Sequence, residues 1–145
     1  MVLLFVCHGN ICRSPMAEFV MKDVLMRRGK TSHEVFSRAA RTDEIGSDMY
    51  PPARRTLALH GVPFSPRAAK LITRADFDRA DIVIVMDEEN MRDMNRAFGK
   101  SDKVRLLMSF AGEDRAVADP WYTRDFEQTY SDVLKGCEAL ADFIS

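Results

Sequence analysis

A cysteine and an arginine stand with five residues between them in Cys7-His8-Gly9-Asn10-Ile11-Cys12-Arg13, directly after the apolar run Val2-Leu3-Leu4-Phe5-Val6. A thiolate is a strong nucleophile, and a guanidinium is a planar fork of donors that matches a tetrahedral oxyanion. Ser14 and Pro15 then open a helical pattern, with Ser14 placed to cap it and Pro15 suited to its first turn. A loop between a strand end and a helix start aims backbone N–H groups and the positive end of the helix at an anion. Gly9 is expected to supply the backbone freedom that such a loop needs. Asn10 and Ser14 can hydrogen-bond the loop into shape or approach the thiol. The same positive field favours the thiolate of Cys7. These features suit in-line attack on phosphorus, with a cysteinyl-phosphate formed and the N–H cradle and Arg13 holding the equatorial oxygens.

That chemistry needs an acid for the leaving oxygen and then a base for water. Asp119 is the candidate, because it precedes Pro120 in an irregular stretch and is followed by Trp121 and Tyr122, which can wall a pocket for an aryl group. Other reactive residue types receive plainer readings. Cys137 falls on the apolar stripe of the last helix and reads as core. His8 reads as a rim side chain, while His33 and His60 sit near element ends and carry no signal. Asp87 reads as a helix cap. A zinc site from Cys7, His8 and Cys12 lacks a fourth ligand and the usual spacing, so no zinc is expected there.

The elements that must position these residues follow from periodicity. Residues 2–6 and Ile82-Val83-Ile84-Val85-Met86 are continuous apolar runs, as expected of strands covered on both faces. Shorter strands are expected around 34–37 and 103–108. Helices are expected over 14–28, from Pro51 to His60, over 88–98 and along the stripe Phe126 to Ile144. Glu18 is expected near the positive end of the first helix, and Gly29 and Gly61 are expected stops. Residues 38–50 and 109–122 read as loops. Strands alternating with helices imply an α/β fold with a parallel sheet, in which ligands sit at the carboxyl ends of the strands. Cys7 is at such an end.

The 145 residues are about one domain, expected to span 1–145, and carry a formal net charge of −1. No long basic run suggests nucleic acid. The pairs Arg27-Arg28 and Arg54-Arg55 read as solvated helix faces. Three cysteines argue against a disulfide framework and for a reducing compartment, most simply the cytoplasm. The apolar start is too short to span a membrane.

Cys7-His8-Gly9-Asn10-Ile11-Cys12-Arg13-Ser14-Pro15 resembles the phosphate-binding signature of the low-molecular-weight protein tyrosine phosphatases. Asp119-Pro120-Trp121-Tyr122 resembles their general-acid loop, and Met86-Asp87-Glu88-Glu89-Asn90 with Arg92-Asp93 resembles the segment after their third strand. The resemblance runs along nearly the whole chain. It implies a four-stranded parallel sheet flanked by helices on both faces, with no metal and no cofactor. It implies Cys7 as nucleophile, Arg13 as phosphate clamp and Asp119 as acid and then base, acting on phosphotyrosine in proteins. Residues 8–13 would hold the phosphate or another tetrahedral oxyanion, with Asn10, Ser14 and Ser37 as supporting residues. Ile11, Asp43, Trp121 and Tyr122 would line the substrate pocket. Cys12 resembles the family's second cysteine, able to form a reversible disulfide with Cys7.

Three positions depart from the family pattern. His8 stands where a small apolar residue is common, Asp43 where many members carry an aromatic wall, and Arg38-Ala39-Ala40-Arg41-Thr42 differs from the usual run after the serine. Rival functions fit less well. Arsenate reduction needs further cysteines to shuttle a disulfide, and 82–92 has none. Arginine phosphatases of the family resemble a loop with threonine where this chain has Ile11. A phosphocarrier must keep its phosphoryl group, so Arg13 and Asp119 would be out of place. A silent phosphotyrosine-binding module has no use for both Cys7 and Asp119.

Overall fold

The computed structural model describes residues 1–144. The described residues form one sheet of four strands, β1 (Val2–Cys7), β2 (Glu34–Ala39), β3 (Ile82–Val85) and β4 (Val104–Leu106), in the order β2-β1-β3-β4. Every pairing is parallel. Parallel neighbours cannot be joined by tight hairpins, so the chain crosses over between them, mostly through helices. These are α1 (Arg13–Arg27), α2 (Pro51–Leu59), α3 (Arg74–Arg79), α4 (Glu88–Phe98), α5 (Pro120–Thr123) and α6 (Phe126–Phe143).

Alternation along the central strands divides the core in two. Leu3, Phe5 and Cys7 of β1 and Ile82 and Ile84 of β3 face the layer of α1, α2 and α6. Leu4 and Val6 with Val83 and Val85 face the layer of α3 and α4, against Phe77 and Met94. Both faces of β1 and β3 are therefore dry, which is why these strands read as unbroken apolar runs. Each fully buried Leu, Ile or Phe here contributes about 1.5–3 kcal/mol.

The expected strands, the four longer helices and the two glycine stops are present; Gly29 and Gly61 both take positive φ, 70° and 69°. Several local readings are corrected. Ser14 does not cap α1: the cap position is Cys12, without a side-chain bond, and Ser14 lies inside the helix with its hydroxyl on Cys7. Glu18 lies beyond the first turn and accepts from Ser37 Oγ at 2.6 Å. The strand expected over 103–108 ends at Leu106, and a 3₁₀ turn follows over Leu107–Ala111. Helix α3 is an addition, closed by a capping box between Thr73 and Asp76. Residues 120–122, expected as loop, belong to α5, with Asp119 Oδ1 accepting from the Trp121 N–H at 3.0 Å.

Gly136 marks the tightest packing of α6. A Cβ there would lie 2.5 Å from Leu107 Cγ, so the helix sits directly on the 3₁₀ turn. Alanine should gain about 1 kcal/mol of helix propensity, but overpacking costs about 1–3 kcal/mol. We expect Gly136→Ala to lower the denaturation midpoint, measured by urea unfolding; an unchanged or higher midpoint would mean that Leu107 yields freely.

Candidate active site

Residues 8–12 leave β1 and turn back into α1, so the loop lies at the carboxyl end of a central strand. The left-handed residue in it is Asn10, with φ 61°, and not Gly9. Asparagine is among the few non-glycine residues that accept this conformation, at a modest cost. Gly9 serves close approach instead: a Cβ there would stand 3.3 Å from Glu44 Cγ.

Asn10 is fully buried and its amide is used at both ends. Nδ2 donates to Ser14 Oγ at 2.8 Å and to Ser37 Oγ at 3.0 Å. Oδ1 accepts from Arg67 Nη2 at 2.5 Å and from the Lys70 N–H at 3.3 Å. Arg67 arrives because the end of β2 bridges to Leu71, with Ala39 N–H donating to Lys70 O and Ile72 N–H donating to Ala39 O. Burial drives the Arg67 pKa down, with Glu18, Asp48 and Cys7 opposing. Nothing in the residue pattern pointed to Arg67.

Cys7 is 3 % exposed. Its Sγ accepts the Ser14 N–H at 3.4 Å and lies 3.0 Å from Ser14 Oγ. Both contacts come from the first turn of α1 and fix the sulfur at the start of that helix. Cys12 is also buried; that burial, with the charges of Cys7 and Asp119, pushes its thiol up to about 12. Cys12 therefore stays protonated beside Cys7. Cys137 is fully buried, near Ala17 O, and its pKa is raised by desolvation, as a core thiol's should be.

Arg13 is 3 % exposed and fixed from three sides. Nη1 donates to Asp87 Oδ2 at 2.8 Å and to Val117 O at 2.9 Å, and Nη2 donates to Asp119 Oδ2 at 3.4 Å. Burial disfavours its charge, but Cys7, Asp119 and Asp87 outweigh that and hold its pKa above the usual range. Asp87 is thus more than the cap of α4. Its Oδ1 takes the Asn90 N–H at 2.8 Å while its Oδ2 takes Arg13. Its place, just after β3 at the same end of the sheet as Cys7, was the available signal.

A pocket of about 150 Å³ opens over the loop. Cys7, Gly9, Ile11, Cys12 and Arg13 form its floor, and Asp119, Trp121 and Tyr122 one wall. Asn10 lies behind this floor and does not line it. Tyr50, unremarked in the sequence, packs edge-on against Trp121 with ring centroids 4.9 Å apart and takes a hydrogen bond from Arg124. The rest of the lining is polar, with His8, Asp43 and Glu44. Ser37 joins through Asn10 and Glu18 and does not line the pocket. His60, given no role, stacks on Tyr130 away from the site. Thus Cys7, Arg13 and Asp119 converge, although 106 residues separate Arg13 from Asp119.

Residues 2–145 match the family model of the low molecular weight phosphotyrosine protein phosphatases. Among curated proteins, a low molecular weight protein-tyrosine-phosphatase PtpA of Staphylococcus aureus is 35% identical over 143 residues, covering 97% of this chain and 91% of that protein. Among solved structures, YfkJ of Bacillus subtilis is 32% identical with a TM-score of 0.94, over 99% of this chain and 94% of that one. A Drosophila arginine phosphatase is 27% identical with a TM-score of 0.91, over 100% of this chain and 98% of that one. With the Cys-x5-Arg loop at the end of β1 and the match along nearly its whole length, the chain belongs to the low molecular weight phosphotyrosine protein phosphatase family.

Proposed function

We propose that this protein-tyrosine phosphatase works with Cys7 as nucleophile, Arg13 as oxyanion clamp and Asp119 as the proton donor and acceptor. The observation that carries the assignment is the convergence of all three on one pocket, with Arg13 bonded to Asp119 and lodged beside Cys7. In the first step, Cys7 Sγ attacks phosphorus opposite the tyrosyl oxygen. The S–P bond forms as the P–O bond breaks, and protonated Asp119 gives its proton to the leaving phenolate. In the second step, ionised Asp119 takes a proton from water, whose oxygen attacks phosphorus and releases the Cys7 thiolate and inorganic phosphate. The N–H groups of residues 8–13 and Arg13 stabilise charge on the equatorial oxygens. The same cradle is expected to bind phosphate and other tetrahedral oxyanions.

Asp87 and Val117 O hold Arg13 in a fixed orientation, so little ordering is needed when the phosphoryl group arrives. Asn10, Ser14 and Ser37 support the loop from behind. Ile11, Trp121 and Tyr122 offer apolar surface to the aromatic ring. Cys12, a protonated neighbour, can condense with a Cys7 sulfenic acid to a disulfide, releasing water and guarding Cys7 from further oxidation. The substrates are phosphoproteins, and the expected compartment is the cytoplasm, where both thiols stay reduced. No helix among the described residues is long and apolar enough to cross a membrane.

The discriminating measurement is metal-free phosphate release from a phosphotyrosine peptide and a phosphoarginine peptide, side by side. Preference for phosphotyrosine is expected, because apolar Ile11 cannot hydrogen-bond a guanidinium. Preference for phosphoarginine would keep the mechanism and overturn the substrate.

A further inference from the structure

Two of the three departures from the family pattern, His8 and Asp43, touch each other across the pocket mouth. His8 Nε2 lies 2.5 Å from Asp43 Oδ2, in the stretch after β2. On its other side, His8 Nδ1 lies 3.2 Å from Glu89 Oε1, in the first turn of α4. An ionised carboxylate can only accept, and a neutral imidazole has a single N–H. Both contacts are therefore satisfied together only by the imidazolium, which has two. His8 thus joins three segments at one wall of the pocket: the phosphate loop, the stretch after β2 and α4.

We propose that His8, as an imidazolium bridging Asp43 and Glu89, is a positioning and specificity residue that governs substrate affinity without entering the chemistry. This rests on the phosphotyrosine reading above. With the bridge closed, the positive charge offsets part of the wall's negative charge. When His8 loses its proton, the shorter contact to Asp43 keeps the remaining N–H and Glu89 is released. A dianionic phosphoryl group then approaches a wall one unit more negative.

The surrounding charges support this direction. Glu44 adds a further carboxylate beside Gly9. Arg41 is engaged by Asp93 in a two-pronged pair, although its charge reaches Glu89 and Asp43. Below lie Cys7 and Arg13, and across the pocket Asp119 and Tyr122. Partial burial works against the charged form of His8, but the hydrogen bonds to Asp43 and Glu89, and their charges, outweigh it and raise its pKa. The closed wall is accordingly present at low pH and lost as pH rises through this raised value.

The test combines kinetics with NMR. KM for a phosphotyrosine peptide is measured across pH for the parent and for His8→Gln. The second ionisation of the phosphate is common to both and cancels in the ratio. We expect the parent-to-variant KM ratio to rise roughly three- to tenfold across the His8 titration, as one charge at the mouth is removed, while the kcat ratio shows no step there. The His8 ring resonances should titrate above the ordinary histidine value in the parent, and lower in Asp43→Asn and in Glu89→Gln, with the KM step of Glu89→Gln moving down in parallel. A flat KM ratio, or a His8 titration indifferent to both carboxylate substitutions, would overturn the proposal. If His8→Gln does not fold, the two carboxylate variants decide it. Absence of phosphotyrosine release by the parent at every pH would sink the substrate reading instead, and the NMR response would still judge the bridge.

Discussion

Cys7→Ser is expected to leave a folded protein that binds oxyanions and phosphotyrosine peptide but releases no phosphate. Serine keeps the size of the side chain and its contact with Ser14 Oγ, so the loop has no reason to rearrange. What changes is the nucleophile. A serine hydroxyl is a far weaker nucleophile than the cysteine sulfur it replaces. Turnover should fall by roughly four orders of magnitude or more, the scale seen when a covalent nucleophile is removed. Binding of vanadate or phosphate, followed by calorimetry, should persist because Arg13 and the loop N–H groups are untouched. Turnover within about tenfold of the parent would remove Cys7 from the mechanism. Loss of anion binding along with turnover would instead mean that the thiolate holds the loop open.

Asp119→Asn should lower kcat by about 10²–10⁴-fold for phosphotyrosine, whose phenolate is a poor leaving group. Asparagine caps a helix about as well as aspartate, so the turn into α5 and the placement of Trp121 are retained. The amide cannot deliver a proton. A substrate with a good leaving group, such as p-nitrophenyl phosphate, needs that proton less and should lose less in the first step. The plot of log kcat against leaving-group pKa should therefore steepen in the variant. A uniform loss across leaving groups would assign Asp119 to positioning Arg13, which it contacts, and not to proton transfer.

The residue pattern pointed to the residues that meet at the pocket better than to those that support them. Cys7 to Arg13 is one contiguous stretch between a strong strand signal and a strong helix signal, so its position at the carboxyl end of a strand followed from topology. Asp119 was recognisable from its neighbours Pro120 and Trp121. The hidden parts depend on contacts distant in sequence. Arg67 reaches Asn10 across 57 residues, through a single bridge between Ala39 and Leu71. No periodicity announces such a bridge. Helix α3 is six residues long, too short for a convincing repeat, and only the spacing of Thr73 and Asp76 betrays it. Gly9 was a reasonable choice for the unusual torsion, yet Asn10 takes it, because its amide is satisfied there by Ser14, Ser37, Arg67 and Lys70. Asp43 and His8 were each visible as departures, but their contact was not.

The amide of Asn10 also ties catalytic competence to the cooperative folding of the whole domain. Its partners come from α1, from β2 and from the stretch before α3, so the local turn is secured only when three separate crossings of the chain are already in place. A partly folded intermediate holding only β1 and α1 would carry Cys7 and Arg13 in sequence but lack the scaffold that shapes the loop. Contacts of such long range are intrinsically slow to form, because loop closure costs entropy before the contact repays it. The loop that carries Cys7 reaches its final shape only together with the rest of the domain, and phosphatase activity becomes a readout of complete tertiary assembly.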